Sequence, residues 1–565
     1  MSSFLPMGPK IAVLTPEIIV FGGSVLVSII GLSRSKTLRK SVPLLAACTL
    51  LASLVALALG YSYEAADQAG VLMPHFNKII KTIILVVGIG LVAISVGHID
   101  RRMEDAVARG ATTFDPMRVV RGEFYAFMLL SICGAMLIPG SPDLVWLFLA
   151  LELTSLPTYI MVAMSRGTRR AQEAAVKYFF LGAMSTAIFL YGFALIYGST
   201  GSLQLSTIRE VFASQSDRGG IDTLGITGVI LCILGFCYKL AAAPMHFYAP
   251  DVYEGAANPV TGFLSFIPKI AGFSALAVLL STVGWSGHAG FTATGTVISG
   301  LPAPILATLW MICALTMTLG NIGALLQKSV KRMLAYSSIS HTGYMVLAII
   351  AGPGLGFEAL LFYLISYGVT NLAIFGALSG LQKRGEDVER FEELSGIGRR
   401  YPGLAAWLAI GSGSLMGMPP LLGFWAKLML FMAGIQAGHT PLVIIAAINS
   451  AVSVWYYLRL IGVPTLSPPG TSSEGVLKGP SSWPRFASAV AAVAVILLPL
   501  FASRILGNSA EFAPVTPASN MKPANTTTQI APTAVNPKQA MHNALQETSR
   551  EENAQLALHC SPTRL

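Results

Sequence analysis

Charge is what this sequence has least of. Only 11% of its residues are Asp, Glu, Lys or Arg, 54% are hydrophobic, and the mean hydropathy is +0.66. Soluble domains carry charge on roughly a quarter of their residues. A soluble chain of 565 residues is therefore excluded, because too little polar surface exists to coat so apolar an interior. Cysteine is also scarce. The six residues Cys48, Cys133, Cys232, Cys237, Cys313 and Cys560 show neither metal-ligand nor disulfide-framework spacing. Five of them fall in apolar runs and read as packing residues. Glycine-rich nucleotide loops, cluster-type cysteine spacing and metal motifs are all missing, which argues against redox chemistry on this chain. A cleavable signal peptide is not expected either, since the first apolar run follows little basic sequence and leads into a basic loop.

What the chain has instead is apolar runs of about 20 residues, each long enough to cross a bilayer as a helix. About fourteen are expected, near 11–32, 43–62, 79–97, 123–139, 143–164, 174–198, 222–243, 259–282, 304–325, 332–352, 357–381, 403–434, 441–462 and 485–505. The fold class is thus an all-α polytopic membrane protein. Basic clusters fall in alternate loops: "SRSKTLRK", then Arg101 to Arg121, Arg166 to Arg170, Lys328 to Arg332, and Lys383 to Arg400. The positive-inside rule places those loops in the cytoplasm and both termini on the outer face. The net charge of +10 therefore reports topology and not nucleic-acid binding. The tail, 506–565, is rich in Pro, Thr, Ala and Asn and is expected to stay disordered.

Against this background, ionisable residues inside spans stand out, each costing roughly 2.5–3.5 kcal/mol at a helix centre. Glu152 lies in "WLFLALELTSLPTYIMVAM", Lys239 in "GFCYKLAAAPMHF", Lys269 in "FLSFIPKIAGF" and Lys427 in "LLGFWAKLMLF". Burial disfavours the charged lysine, so a nearby carboxylate would decide its state. Glu152 and Lys239 are a candidate pair, and the set reads as a proton path. His246, His341 and Lys177 are weaker candidates. Each residue also has a structural reading: a lysine paired to fix packing, a histidine capping loose backbone, or Lys177 snorkelling to the interface. Three central lysines facing one central carboxylate favour the path, because pairing cannot neutralise them all.

Pro244 follows Lys239, and Pro419 and Pro420 precede Lys427. Proline breaks a helix, and membranes tolerate the break where protein or water satisfies the freed backbone. The seventh and twelfth spans are thus expected to be interrupted helices of opposite direction, five spans apart. That is the mark of an inverted repeat. The expected division is 1–122 for helices 1–3 and a cytoplasmic loop, 123–282 and 304–462 for two five-helix repeats, 485–505 for helix 14, and then the tail.

The segments "LALELTSLPTYIMVA", "AAVKYFFLGAMSTAIFLYGFALIYGSTGS", "YKLAAAPMHFYAPDVYEGAANPVTGFLSFIPKIAGF", "GNIGALLQKSVKRMLAYSSISHTGYM", "GSLMGMPPLLGFWAKLMLF" and "NSAVSVWYYLRL" carry a resemblance. The chain resembles the antiporter-like membrane subunits of proton-pumping NADH:quinone oxidoreductase, respiratory complex I, in their subunit N branch. The M branch is expected to carry glutamate where Lys427 stands. The resemblance implies fourteen helices with two inverted five-helix repeats in a bacterial inner membrane. It implies proton-translocating roles for Glu152, which couples neighbouring channels, Lys239 of the broken helix, Lys269 at the channel centre and Lys427 on the exit side. Lys177 and His246 match family positions of less definite role. It further implies a translocase subunit with no cofactor of its own. NADH, FMN, iron–sulfur clusters and quinone would be handled by partner subunits of the complex. The alternatives are a subunit of a multi-subunit cation/proton antiporter or membrane-bound hydrogenase, and a non-transporting scaffold.

Overall fold

The computed structural model describes residues 7–99, 110, 120–285, 287–291, 297–383 and 385–501. The basic residues Arg101, Arg102, Arg109 and Arg118, positions 502–505 of the expected last helix, and the tail lie outside the described residues. Thirteen helices among the described residues are long and apolar enough to span a membrane. They occupy every expected span but the twelfth, which is split into Pro402–Met416 and Leu422–Gln436. The protein is an all-α polytopic membrane protein.

Local sequence sets the span ends. Asp143 caps the fifth span (Leu144–Ser165) by accepting from the Trp146 N–H at 2.7 Å. Thr168, Asp222 and Ser329 do the same for the sixth (Arg169–Thr200), seventh (Thr223–Leu240) and tenth (Val330–Ala351) spans. Such caps satisfy amides that a helix start leaves unpaired. Proline opens the third (Pro74–Ser95), eighth (Asn258–Val283), thirteenth (Thr440–Thr465) and fourteenth (Trp483–Leu497) spans in their first turns, where its missing N–H is harmless. Because of Pro74, the third span starts five residues before the expected 79. The first (Met7–Gly31) likewise starts ahead of 11. Lys81 thereby moves from a span end into a span interior, and Glu17, already inside its expected span, lies deeper still.

Short helices also form outside the expected spans. Tyr63–Gln68 follows the second span (Lys36–Gly60), and Leu205–Asp217 lies between the sixth and seventh, burying Leu205, Ile208 and Phe212. Small antiparallel sheets pair Gly287–Phe291 with Val297–Gly300, and Leu381–Lys383 with both Glu386–Asp387 and Val476–Lys478.

Burial separates an axis from a perimeter. The eighth span is buried along almost its whole length, and the tenth and eleventh (Leu355–Ser379) nearly so. Spans such as the first expose an apolar face, with Ile11, Ile18, Phe21 and Val25 outward, as contact with lipid requires. The fourth span (Arg121–Leu137) packs on the fifth and the sixth on the seventh. The ninth (Ala303–Leu325) packs on the tenth, and the eleventh on both halves of the twelfth. The sixth and seventh meet backbone to backbone: a Cβ on Gly192 would lie 2.7 Å from the Gly228 carbonyl oxygen.

Both expected interruptions occur. The seventh span stops at Leu240, where Ala241 turns left-handed (φ 54°), and the chain passes Pro244 and His246 before the short helix Ala249–Gly255. The twelfth breaks at Gly417 to Leu421.

Candidate functional site

The ends of the broken seventh span are satisfied from elsewhere, as a membrane interior demands. The Cys237 and Tyr238 carbonyls accept from Ala242 and Ala241, and the Leu240 carbonyl accepts from Thr342 Oγ1 at 2.8 Å. The Thr316 hydroxyl takes the Ala243 N–H at 2.9 Å. Lys239 sits in the last turn before this break, 6% exposed. Its Nζ lies 3.4 Å from Glu152 Oε1 and also donates to Ser155 Oγ. Thr186 donates to the same carboxylate oxygen at 2.8 Å. The candidate pair is therefore a contact, made between residues 87 positions apart.

Beyond Lys239 lies a cavity of about 10 Å³, roughly the room of one water. Lys239, Lys269, Tyr178, Tyr248, Tyr253 and Ser338 line it. Lys269 Nζ donates to the Ser338 carbonyl at 2.5 Å and to Thr342 Oγ1 at 2.7 Å, and it lies 5.0 Å from the Tyr367 ring centre. Lys427 Nζ donates to the Met416 carbonyl and to Ser450 Oγ, each at 3.0 Å, and lies 5.3 Å from the Tyr344 ring centre. The Met416 carbonyl belongs to the open end of the broken twelfth span. Gly417 beside it has φ 90°, and a Cβ there would come 3.2 Å from Lys427 Cδ. Among the described residues neither Lys269 nor Lys427 has a carboxylate partner. Each ammonium is held by hydroxyls, carbonyls and an aromatic face, the last a cation–π contact.

His341 stands between these two lysines. Its Nδ1 lies 2.6 Å from the Tyr363 hydroxyl and its Nε2 lies 2.7 Å from the Tyr457 hydroxyl. Its ring approaches those of Tyr367 (5.3 Å) and Tyr344 (5.9 Å), the rings that face Lys269 and Lys427 respectively. Asn321 and Asn449 extend the polar contacts: Tyr456 donates to Asn321, and Asn321 to Asn449 at 3.0 Å. A buried polar line thus runs from Glu152 through Lys239, the cavity, Lys269 and His341 to Lys427.

Two predicted residues lie off this line. Lys177 is 44% exposed and pairs with Glu173 (2.8 Å) and Asp251 (3.0 Å). His246 is half-buried in the loop after Lys239, with its Nδ1 buried and unpartnered.

Two clusters escaped the sequence reading. Lys81 and Glu17 form a buried pair at 2.7 Å, which sequence hides because Lys81 stands at an expected span end and Glu17 shows no partner without it. The second lies at the basic-loop ends of the spans. Lys331, read as a loop charge, is fully buried in the first turn of the tenth span. It bridges the Ala256 carbonyl (2.8 Å) and Glu389 (3.2 Å). Arg166 donates to Asp387 at 2.5 Å and to Glu389. Burial pushes the Asp387 carboxyl up, but Arg166 and then Lys331 outweigh it and hold it down at about 2. Only the spacing of acid and base across distant loops signals this cluster, and sequence does not reveal which loops meet.

Residues 141–453 match the family described as NADH:quinone oxidoreductase/Mrp antiporter, TM. The chain is 41% identical over 340 residues to NADH-quinone oxidoreductase subunit N of Trichlorobacter lovleyi, covering 60% of this chain and 66% of that protein, just under two thirds. It is 34% identical to subunit N of Myxococcus xanthus over 90% of this chain and 96% of that one. Among solved structures, a chain of respiratory complex I from Thermus thermophilus is 30% identical, with a TM-score of 0.68 over 88% of this chain and 100% of that one. An archaeal membrane-bound sulfane sulfur reductase chain, 23% identical with a TM-score of 0.71 over 89% of this chain and 96% of its own, shares the fold. The segments that carried the resemblance, the broken helices and these matches agree, and the chain belongs to the NADH:quinone oxidoreductase/Mrp antiporter transmembrane family, in its subunit N branch.

Proposed function

We propose that this chain moves protons across the membrane as a subunit of NADH:quinone oxidoreductase, with Glu152, Lys239, Lys269 and Lys427 as carriers. The observation that carries the reading is the succession of polar residues from Glu152 to Lys427 in an otherwise apolar interior, joined by an ion pair and a shared cavity as far as Lys269 and by aromatic ring contacts through His341 beyond it. Intramembrane ionisable residues are retained at a cost that function repays. His341 joins the two repeats' lysines, with a hydroxyl on each ring nitrogen able to accept or donate. Lys177 and His246 act on the rim of this path.

The division into 1–122, 123–282, 304–462 and 485–505 is part of the same proposal. The pairing of the fourth span with the fifth and the sixth with the seventh parallels the ninth with the tenth and the eleventh with the twelfth. Each proposed repeat supplies one broken helix bearing a lysine. NADH, flavin, iron–sulfur and quinone chemistry belongs to partner subunits, and the basic loops face the cytoplasm with the termini outside.

The test is Lys427→Met in the intact complex. The expected result is normal assembly and loss of proton pumping coupled to quinone reduction. Unchanged pumping would remove Lys427 from the path. Purification of the complex with sodium/proton exchange but no NADH-oxidising subunits would favour the antiporter reading instead.

A further inference from the structure

The eighth span carries a polar file that meets the line above only at Lys269. Asn258, Thr261, Ser265 and Lys269 are spaced by three, four and four residues. At 3.6 residues per turn they fall within about 80° of one another on one helix face and span about 17 Å. All four are buried: 0%, 0%, 1% and 3% exposed. The Thr261 and Ser265 hydroxyls donate to the Ala257 and Gly262 carbonyls, which leaves their oxygens free to accept, whereas an unpartnered buried amide such as that of Asn258 is costly.

The lower end of the file opens on the charged cluster at the basic-loop side. The Asn258 N–H donates to Asp387 Oδ2 at 2.7 Å, and Asp387 is held by Arg166. Arg166 and Glu389 are partly exposed, so the cluster reaches the protein surface. The Asn258 side chain is the informative group. Both its oxygen and its nitrogen are buried without a hydrogen-bond partner. A native buried amide in that state calls for ordered water. The upper end approaches Lys269 through Tyr253 and Ser338. Thr261 donates to the Tyr253 carbonyl at 3.1 Å, the Tyr253 hydroxyl lies 3.3 Å from Ser338 Oγ, and the Ser338 carbonyl accepts from Lys269. Tyr253 also lines the cavity that Lys269 shares with Lys239.

We propose that proton uptake from the cytoplasmic side runs up the eighth span, from water held by Asn258 past Thr261 and Ser265 to Lys269. The excess proton arrives on that water, passes along water and hydroxyl oxygens, and ends on the Lys269 amine as its ammonium re-forms. Asp387 does not carry the proton. Pinned by Arg166 and the Asn258 amide, it stays an anion and positions the mouth. This route rests on the proton-path reading above and selects Lys269, rather than the exposed Lys177, as the first internal acceptor.

The test uses the whole complex in inverted membrane vesicles, whose outer solution is the cytoplasmic side. Proton uptake per NADH oxidised is measured with a pH-sensitive dye for Asn258→Leu, Asn258→Ser, the double variant Thr261→Val/Ser265→Ala, and Lys269→Met. Asn258→Leu keeps the size but cannot hold water, and uptake is expected to fall about fivefold, more at about pH 8 than at about pH 6, because protons become scarcer at the mouth. Asn258→Ser, small and polar, is expected to keep most of the activity. A purely structural role would not produce that pH trend or that rescue. Where Asn258→Leu fails to assemble, the double variant carries the test, with a loss of about twofold and the same trend. Normal pumping in whichever of the two assembles, alongside a dead Lys269→Met, overturns the file and spares the path. Normal pumping in Lys269→Met overturns the path itself.

Discussion

Removing the Glu152 carboxylate leaves Lys239 in the membrane without its counter-charge. At 3.4 Å and an effective dielectric of about 20, the pair attracts by about 5 kcal/mol. Glu152 is 17% exposed, so part of that attraction is screened. Breaking a buried pair from one side costs about 3–5 kcal/mol, whereas replacing both partners is often neutral. Glu152→Gln and Lys239→Met should therefore each destabilise the assembled complex by about 3 kcal/mol, while the double variant should recover most of that loss. Stability is read from thermal or denaturant unfolding of the purified complex, and pumping from dye quenching in vesicles. A packing pair and a proton carrier give different results in the double variant. As a carrier, it regains stability and still fails to pump. Regained stability together with regained pumping would refute the assignment. Single variants that are as stable as the unaltered complex would refute the energetic reasoning.

Three further outcomes follow from the same geometry. His341→Phe strands the Tyr363 hydroxyl, at a cost of about 1–3 kcal/mol, while Tyr457 keeps its bond to Ser337 Oγ, and it should uncouple pumping from quinone reduction; native gels and dye quenching decide it. Gly417→Ala places a Cβ against Lys427 at a left-handed position, so a loss of about 1–2 kcal/mol with reduced pumping is expected, checked by unfolding and vesicle assays. Asp387 is held at about 2, below its ordinary 3.8. A depressed carboxyl stabilises the fold above the unfolded value, so its contribution of about 2 kcal/mol should be fully present above about pH 4 and fade as pH falls through about 2. Asp387→Asn should lose that contribution at neutral pH and flatten the acid limb of the stability curve.

The broken seventh helix shows how far sequence carries. Lys239 and Pro244 were legible as a costly charge beside a helix breaker, and the chain does leave the helix at Leu240. What Lys239 touches was not legible beyond a candidate. Lys177 matched the same pattern of a lysine near a span, yet it faces outward and pairs with Glu173 and Asp251. His341 looked no stronger than His246, yet it holds the centre of the line while His246 lies in a loop. The Glu17–Lys81 pair was missed because Lys81 stood at an expected span end, which Pro74 deepened by more than a turn.

By itself the sequence determined the membrane class, the spans, the two interruptions and the placement of Glu152, Lys239, Lys269 and Lys427 inside spans. Those follow from local quantities: apolar length against bilayer thickness, proline against helix continuity, and the cost of a charge in hydrocarbon. Only the tertiary structure decided which faces meet. It set Glu152 against Lys239 across 87 positions, and His341 between Tyr363 and Tyr457, 22 and 116 positions away. Helical periodicity fixes the direction of each side chain from its own axis. The neighbour it then meets depends on how fourteen axes pack, and no single helix carries that information.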